Sequence, residues 1–201
     1  MKKLSIAMLL LTMTSCLLAQ DKKDKKVMMP RFYAMGGVTF PSISNGDESW
    51  EGGLVGAQFG LGFSIDPGVP NMITYQAELN FSMQGGKYDE GPPVGEGKVL
   101  MNYINLPIVI QHRTAKGFYG EVGIQPGFLV SAKDKYGGQT ADFKDYVNGF
   151  DLGIPVGIGY VILNTVAINL RYTHGVSNIY KDDTDTDHNT VFAFRVLWLI
   201  H

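Results

Sequence analysis

The sequence predicts an all-β fold, an eight-stranded antiparallel up-and-down transmembrane β-barrel. Three observations predict it. Bulky apolar residues take every second position in eight stretches, the connections alternate between long and short, and lysines are kept out of the stretches themselves. Sustained period-two alternation marks a strand, whose successive side chains point to opposite faces. Residues 150–172 show it best. In FDLGIPVGIGYVI, the positions Phe150, Leu152, Ile154, Val156, Ile158, Tyr160 and Ile162 alternate with Asp151, Gly153, Pro155, Gly157, Gly159 and Val161. After Leu163 and Asn164 the pattern resumes with Val166, Ile168, Leu170 and Tyr172, and only a hairpin fits so short a connection.

Taken in order, the first predicted strand is 31–40, followed by the polar loop SISNGDESWEG. The second, 53–65, sets Val55, Ala57, Phe59, Leu61 and Phe63 against Gly56, Gln58, Gly60 and Gly62, and ends in the tight-turn sequence DPGVPN. The third, 72–84, sets Ile73, Tyr75, Ala77, Leu79 and Phe81 against Gln76, Glu78, Asn80 and Ser82, with a longer loop expected at 85–98. The fourth, 100–112, carries Ile104, Leu106, Ile108 and Ile110 on its apolar face and ends in the short turn RTAKG. The fifth, 118–131, alternates Phe118, Val122, Ile124 and Phe128 with Tyr119, Glu121, Gly123, Gln125 and Gly127, and a long loop is expected at 132–148. The sixth and seventh form the hairpin above, and the acidic loop KDDTDTDHN leads to the last strand, 190–201. Pro107, Pro126 and Pro155 fall inside three consecutive strands, where each removes a ladder donor and predicts a bulge.

Lysine decides which face points outward. All 13 lysines are expected in the N-terminal segment, the loops or the turns. A soluble antiparallel sheet solvates its second face with charged residues, whereas here that face is glycine punctuated by single charges. Small residues suit the inside of a narrow barrel, so the bulky face is the outer one. The aromatics agree by height. Phe63, Tyr75, Phe118, Tyr160 and Trp198 stand near the short turns, and Phe40, Phe81, Phe128, Phe150, Tyr172 and Phe192 near the long loops. Paired aromatic belts suit the two interfaces of a bilayer. Strands of about 11 residues rising roughly 3.3 Å each, tilted near 40°, span about 28 Å, close to the apolar band of an outer-membrane barrel.

A length of 201 residues with 45% hydrophobic content fits one domain, and a net charge of −2 argues for no particular partner. Residues 1–20 read as a signal peptide: Lys2 and Lys3, an apolar run from Leu4 to Leu18, then Ala19 before the charged DKKDKK. Cleavage is expected at Ala19 or Gln20, with lipidation of Cys16 as the alternative. Cys16 is the sole cysteine, so no disulfide is expected after cleavage. The predicted organisation is thus a signal peptide at 1–20, a short charged periplasmic tail at 21–30 and the barrel at 31–201.

Four wall segments resemble the PorT-like outer-membrane β-barrel family of small bacterial surface proteins: YINLPIVIQHR at 103–113, GFYGEVGIQPGFLVSAK at 117–133, FDLGIPVGIGY at 150–160 and RYTHGVSNI at 171–179. The resemblance covers most of the chain after the signal. It implies an eight-stranded barrel in the bacterial outer membrane, with some members acting as accessory parts of a protein-secretion machine.

The lumen should hold the inward charges Glu78, Glu121, Arg171 and Arg195, each at a similar distance from its periplasmic turn or terminus. Two carboxylates facing two guanidiniums satisfy one another, whereas a lone buried charge is costly. The expected role is a structural plug. A gated pore or small polar site, using space beside Gly123, Gly157 and Gly159, is the functional alternative. Asp151 should sit nearer the outer mouth. Asp183, Asp185 and Asp187 have the spacing that opens an EF-hand, but His188 stands where glycine is required and Phe194 where glutamate is, so no metal site is expected. His174, Ser177 and an acid such as Asp151 or Asp182 are the best ingredients for nucleophilic chemistry, without any nucleophile-elbow motif. The expected function is therefore a plugged barrel with a structural or interaction role through its loops, with no enzyme activity and no cofactor. Its expected partners are the outer-membrane lipid bilayer and other envelope proteins, with no nucleic acid. The alternatives are a narrow gated channel, a rim-located hydrolase or transferase, and a soluble periplasmic ligand-binding barrel.

Overall fold

The computed structural model describes residues 29–44, 50–66, 73–89, 95–163, 165–181 and 187–200. The signal segment at 1–20, most of the charged tail, and Asp182, Asp183 and Asp185 lie outside the described residues. Among those described, eleven strands form one sheet. They are β1 (Met29–Ser44), β2 (Trp50–Gly52), β3 (Gly56–Asp66), β4 (Ile73–Asp89), β5 (Glu96–Asn105), β6 (Ile108–Arg113), β7 (Phe118–Tyr136), β8 (Gln139–Asp142), β9 (Phe150–Leu163), β10 (Val166–Gly175) and β11 (His188–Ile200). The sheet closes on itself: β1 pairs with β3 on one side and with β11 on the other, from Phe32↔Ile200 to Ser44↔His188. Eight staves make the wall, namely β1, β3, β4, β5 continued by β6, β7, β9, β10 and β11, all antiparallel to their neighbours. The predicted order and facing hold, and closure leaves no edge among the staves.

The bulky face does point outward. Phe32, Phe59, Leu61, Leu79, Ile108, Phe118, Ile158 and Trp198 are exposed, while Gln76, Glu78, Asn80, Gln111, Asn169 and Arg195 are buried inside. β1 starts at Met29, so Met29 and Pro30 pair with Asp66 and Ile65 rather than belonging to a tail.

The expected loops at 85–98 and 132–148 are largely strand. β4 and β5 pair out to Asp89↔Glu96, and β7 runs to Tyr136 before reversing through Gly137 and Gly138 into β8. Both glycines have positive φ, as a two-residue hairpin turn requires. Backbone pairing continues past the apolar stripe because ladder bonds need no greasy side chains. The expectation that no lysine lies in a strand fails for the same reason: Lys87, Lys98, Lys133 and Lys135 sit in these extensions.

The prolines produce no bulges. Pairing of β4 and β7 with the β5/β6 stave keeps its register across Pro107, and β7 and β9 lose pairs beside Pro155 without a shift. Proline removes a donor but keeps its carbonyl: Pro107 O accepts from Glu78 N at 2.9 Å and Pro126 O from Leu106 N at 2.8 Å. No extra residue has to be absorbed. The wall's register shift in β7 lies instead at Val130, opposite Asn102 and Tyr103.

Candidate functional site

The lumen is built around the four charges, one from each of four staves. Glu78 comes from β4, Glu121 from β7, Arg171 from β10 and Arg195 from β11, and alternation points all four inward. Their exposures are 1%, 4%, 3% and 0%. Arg171 grips both carboxylates: its Nε donates to Glu121 Oε1 at 2.7 Å, and Nη1 and Nη2 donate to Glu78 Oε2 and Oε1 at 3.0 and 3.1 Å. Arg195 Nη1 donates to Glu78 Oε2 at 2.8 Å and its Nε to Asn169 Oδ1 at 2.8 Å, while Nη2 reaches Glu121 Oε1 at 3.5 Å. The remaining acceptor capacity is filled by neutral donors. Tyr33 OH donates to Glu78 Oε1 at 3.2 Å, and Gln111 Nε2 donates to Glu121 Oε2 at 2.8 Å. The charges balance, each carboxylate is multiply bonded, and staves far apart in the ring are tied together across the lumen.

The space expected beside Gly123, Gly157 and Gly159 is filled. A Cβ on Gly159 would overlap the Tyr119 ring, one on Gly157 would meet Glu121 Oε1 at 2.6 Å, and one on Gly123 would strike the backbone of Ile108 and Val109. Gly157 and Gly159 are floors under the Glu121 and Tyr119 side chains, and Gly123 admits the close approach of the β6 backbone. The inner face is also richer in amides and aromatics than a glycine surface, with Gln58, Gln76, Gln84, Asn105, Gln125, Tyr33 and Tyr103 all buried.

A second closure, not foreseen from sequence, lies at the long-loop end. Ile43, Val99, Met101, Tyr103, Leu129, Ala132, Val147 and Ile179 form a buried apolar cluster across the mouth. Val147 and Ile179 come from two different loops and are 1% and 3% exposed. Those loops are zipped together: Asn148 N donates to Ile179 O at 2.7 Å, Asn148 Nδ2 to Asn178 O and Tyr180 O, and Val147 bridges Tyr180. Single apolar residues in polar loops carry no periodicity, so nothing local in the sequence marks this lid. The Gly-Gly reversal before β8, by contrast, is a readable hairpin signal.

Asp151 does lie high in the lumen, close under the lid. It accepts a short hydrogen bond from Ser177 Oγ, which in turn accepts from Leu152 N at 2.8 Å. His174 points outward, where its ring stacks on Tyr172 and lies near His188. The hydroxyl of Ser177 is therefore engaged by a carboxylate rather than by a histidine base. Asp187 is buried, with its backbone N donating to Asn178 Oδ1 at 3.1 Å, and no group of metal-binding side chains forms among the described residues.

The family profile of the outer membrane protein beta-barrel domain matches residues 31–181. The chain belongs to that family. It is a protein of the bacterial outer membrane, embedded in the lipid bilayer. No curated protein matches it in sequence. Among solved structures, Neisserial surface protein A is 14% identical, with a TM-score of 0.56 over 83% of this chain and 96% of that one. The attachment invasion locus protein Ail of Yersinia pestis, solved in complex with the heparin analogue sucrose octasulfate, is 12% identical, with a TM-score of 0.51 over 86% of this chain and 100% of that one. These likenesses establish the shared barrel fold.

On the outer wall of this family member, the aromatics stand in two bands. Phe63, Tyr75, Phe118, Tyr160 and Trp198 share the short-turn end, where Phe118 and Tyr160 rings lie 4.6 Å apart. Phe81, Phe128 and Phe150 share the long-loop end with Phe40, Phe192 and Tyr172; the ring pairs Phe128–Phe150, Phe40–Phe192 and Phe59–Phe81 lie 5.7, 6.5 and 5.3 Å apart. Phe59 and Phe32, absent from the expected belts, complete them as cross-strand partners of Phe81 and Phe63.

Proposed function

We propose that this protein is a sealed, non-conducting outer-membrane barrel that acts through its extracellular end, as a docking element for other envelope proteins. The observation that carries the reading is the double closure of the lumen. A fully paired charge quartet blocks its middle, and an apolar lid of zipped loops blocks its mouth. With the interior filled, the surface left to work is the sheet extension and the loops above it. Within the family we place the chain in the PorT-like group, on the wall motifs at 103–113, 117–133, 150–160 and 171–179, and so propose an accessory role in envelope assembly or protein secretion. The reading contains no catalytic step, in keeping with Ser177 engaged by Asp151 and His174 turned outward.

Planar-bilayer recording of the purified, folded barrel tests the closure, with a flat trace expected at all voltages; steady single-channel steps would replace this reading with a channel. Site-specific photo-crosslinking at Gln139, exposed on β8, tests the docking in intact cells. A discrete adduct with an envelope protein is expected, and its absence together with a conducting lumen would overturn the proposal.

A further inference from the structure

The outward faces of β4, β5 and β7 change character in step as they leave the bilayer. On β4, Phe81 and Met83 are followed by Lys87; on β5, Ile104 and Leu100 by Lys98; on β7, Phe128 and Val130 by Lys133 and Lys135. The ladder sets Lys87 directly opposite Lys98, and Lys98 directly opposite Lys135. Paired residues of an antiparallel sheet share a face, so three ammonium groups stand side by side across three adjacent strands, with Lys133 two positions along on the same face. All four lysines are exposed, and among the described residues none makes an ion pair. Asp142 on β8 stands opposite Lys133, and the Asp89↔Glu96 pair lies two positions beyond Lys87 and Lys98 on the same face, so Lys87, Lys98 and Lys135 are the ones whose direct ladder partners carry no negative charge.

The register shift at Val130 makes the row possible. Below it the outward residues of β7 are Phe118, Val122, Ile124, Phe128 and Val130; above it they are Lys133 and Lys135. Unshifted alternation would turn both lysines into the apolar lid. A bulge that re-aims side chains at this point gathers charge that sheet stability alone disfavours, since like charges directly opposite repel.

We infer that this lysine row is a binding surface for phosphate-bearing lipid headgroups of the outer leaflet. Height selects the lipid over a soluble ligand. Lys87 lies four residues beyond Met83, the last large apolar side chain on that face of β4, which is roughly 10 Å of height for a strand tilted near 40°. A lysine stem lying back along the wall covers much of that distance and brings the ammonium to headgroup level. The row also faces sideways, continuous with the lipid-facing wall, rather than up into solvent. This surface is independent of whether the lumen is closed or what the loops dock.

The test is lipid selectivity by electron spin resonance. The full barrel is reconstituted in phosphatidylcholine vesicles carrying a trace of spin-labelled phosphatidic acid or spin-labelled phosphatidylcholine. The wild type should hold phosphatidic acid at its surface at least about fivefold more strongly, the factor one near-surface lysine contributes, with the preference falling at high salt. The Lys87→Gln/Lys98→Gln/Lys135→Gln variant should fall to near parity, while Lys116→Gln, in a turn at the opposite end, should keep the preference. Parity in the wild type, a preference that survives the triple substitution, or equal loss in Lys116→Gln would overturn the assignment. If inositol hexakisphosphate binds through the same lysines while phosphatidic acid shows no preference, the row serves a soluble polyanion and the lipid reading fails. Should the triple variant lose its heat-dependent gel shift, Lys98→Gln alone, at the centre of the row, should lower the preference part-way; an unchanged preference would refute the proposal.

Discussion

The same strands are built with opposite polarity at their two ends. Within the bilayer, β4, β5/β6 and β7 present Tyr75, Leu79, Ile108 and Val122 outward and bury Gln76, Glu78, Gln111 and Glu121. At the long-loop end, β5 and β7 bury Val99, Met101, Leu129 and Ala132, while β4, β5 and β7 present Lys87, Lys98 and Lys133 outward. The difference follows from what lies outside the wall. Where the outside is hydrocarbon, moving an apolar side chain inward gains almost nothing, so cohesion of the lumen has to come from hydrogen bonds and ion pairs. Where the outside is water, burial of apolar surface regains its full force and a conventional core forms.

Breaking the polar end should cost the most. Arg195→Ala leaves Glu78 short of a charged donor at a fully buried site, and loss of one partner of a buried pair costs about 3–5 kcal/mol. The expected readout is a large drop in the urea midpoint of the heat-dependent gel shift. Glu121→Gln should cost less, because the amide oxygen still accepts from Arg171 while its NH₂ faces donors. At the apolar end, Met101→Ala removes a side chain with no exposed surface and should cost about 2–5 kcal/mol. The two regions share no partners, so the double variant Arg195→Ala/Met101→Ala should be additive to within about 0.5 kcal/mol. Neither single variant should conduct in a planar bilayer, because the other closure persists.

The floors beneath the quartet give a smaller effect. Gly159→Ala places a Cβ against the Tyr119 ring, and overpacking of this kind costs about 1–3 kcal/mol. Combining it with Tyr119→Phe should restore little, since the clash involves the ring as well as the hydroxyl. Near-neutral stability of Gly159→Ala would instead support the free space expected from the sequence.

What could be read from sequence divides along the same line. Where the membrane imposes one apolar face, alternation located all eight staves, and counting from the short turns placed Glu78, Glu121, Arg171 and Arg195 at one depth. Above the membrane that constraint lapses. Gly85, Gly86 and Lys87 read as loop because no apolar alternation marks them, although the backbone keeps pairing. Val147 and Ile179 are single apolar residues, 32 positions apart by their numbering, and only the fold brings them together over the mouth. The glycines were readable as inward but not as floors, because a glycine's neighbour across the ladder depends on register. The shift at Val130 has no distinguishing residue type at all.

The smallest expected effect tests whether the outer face of the extension is held back by its own charge. Lys98 stands between Lys87 and Lys135, with no ion pair among the described residues. Lys98→Glu turns two repulsive cross-strand pairs into two attractive ones, each worth about 0.2–1 kcal/mol. Glu96 lies on the same face two positions away and returns part of that gain, so the net stabilisation should be under about 1 kcal/mol in a zwitterionic detergent. Hydrogen exchange of the β5 amides near position 98 is the sensitive readout, because it reports local opening that a global midpoint would miss. Slower exchange in Lys98→Glu, abolished by high salt, would show that the row is kept at a cost in stability. Unchanged exchange would mean that water already screens the three ammonium groups, and that their alignment imposes no strain on the sheet.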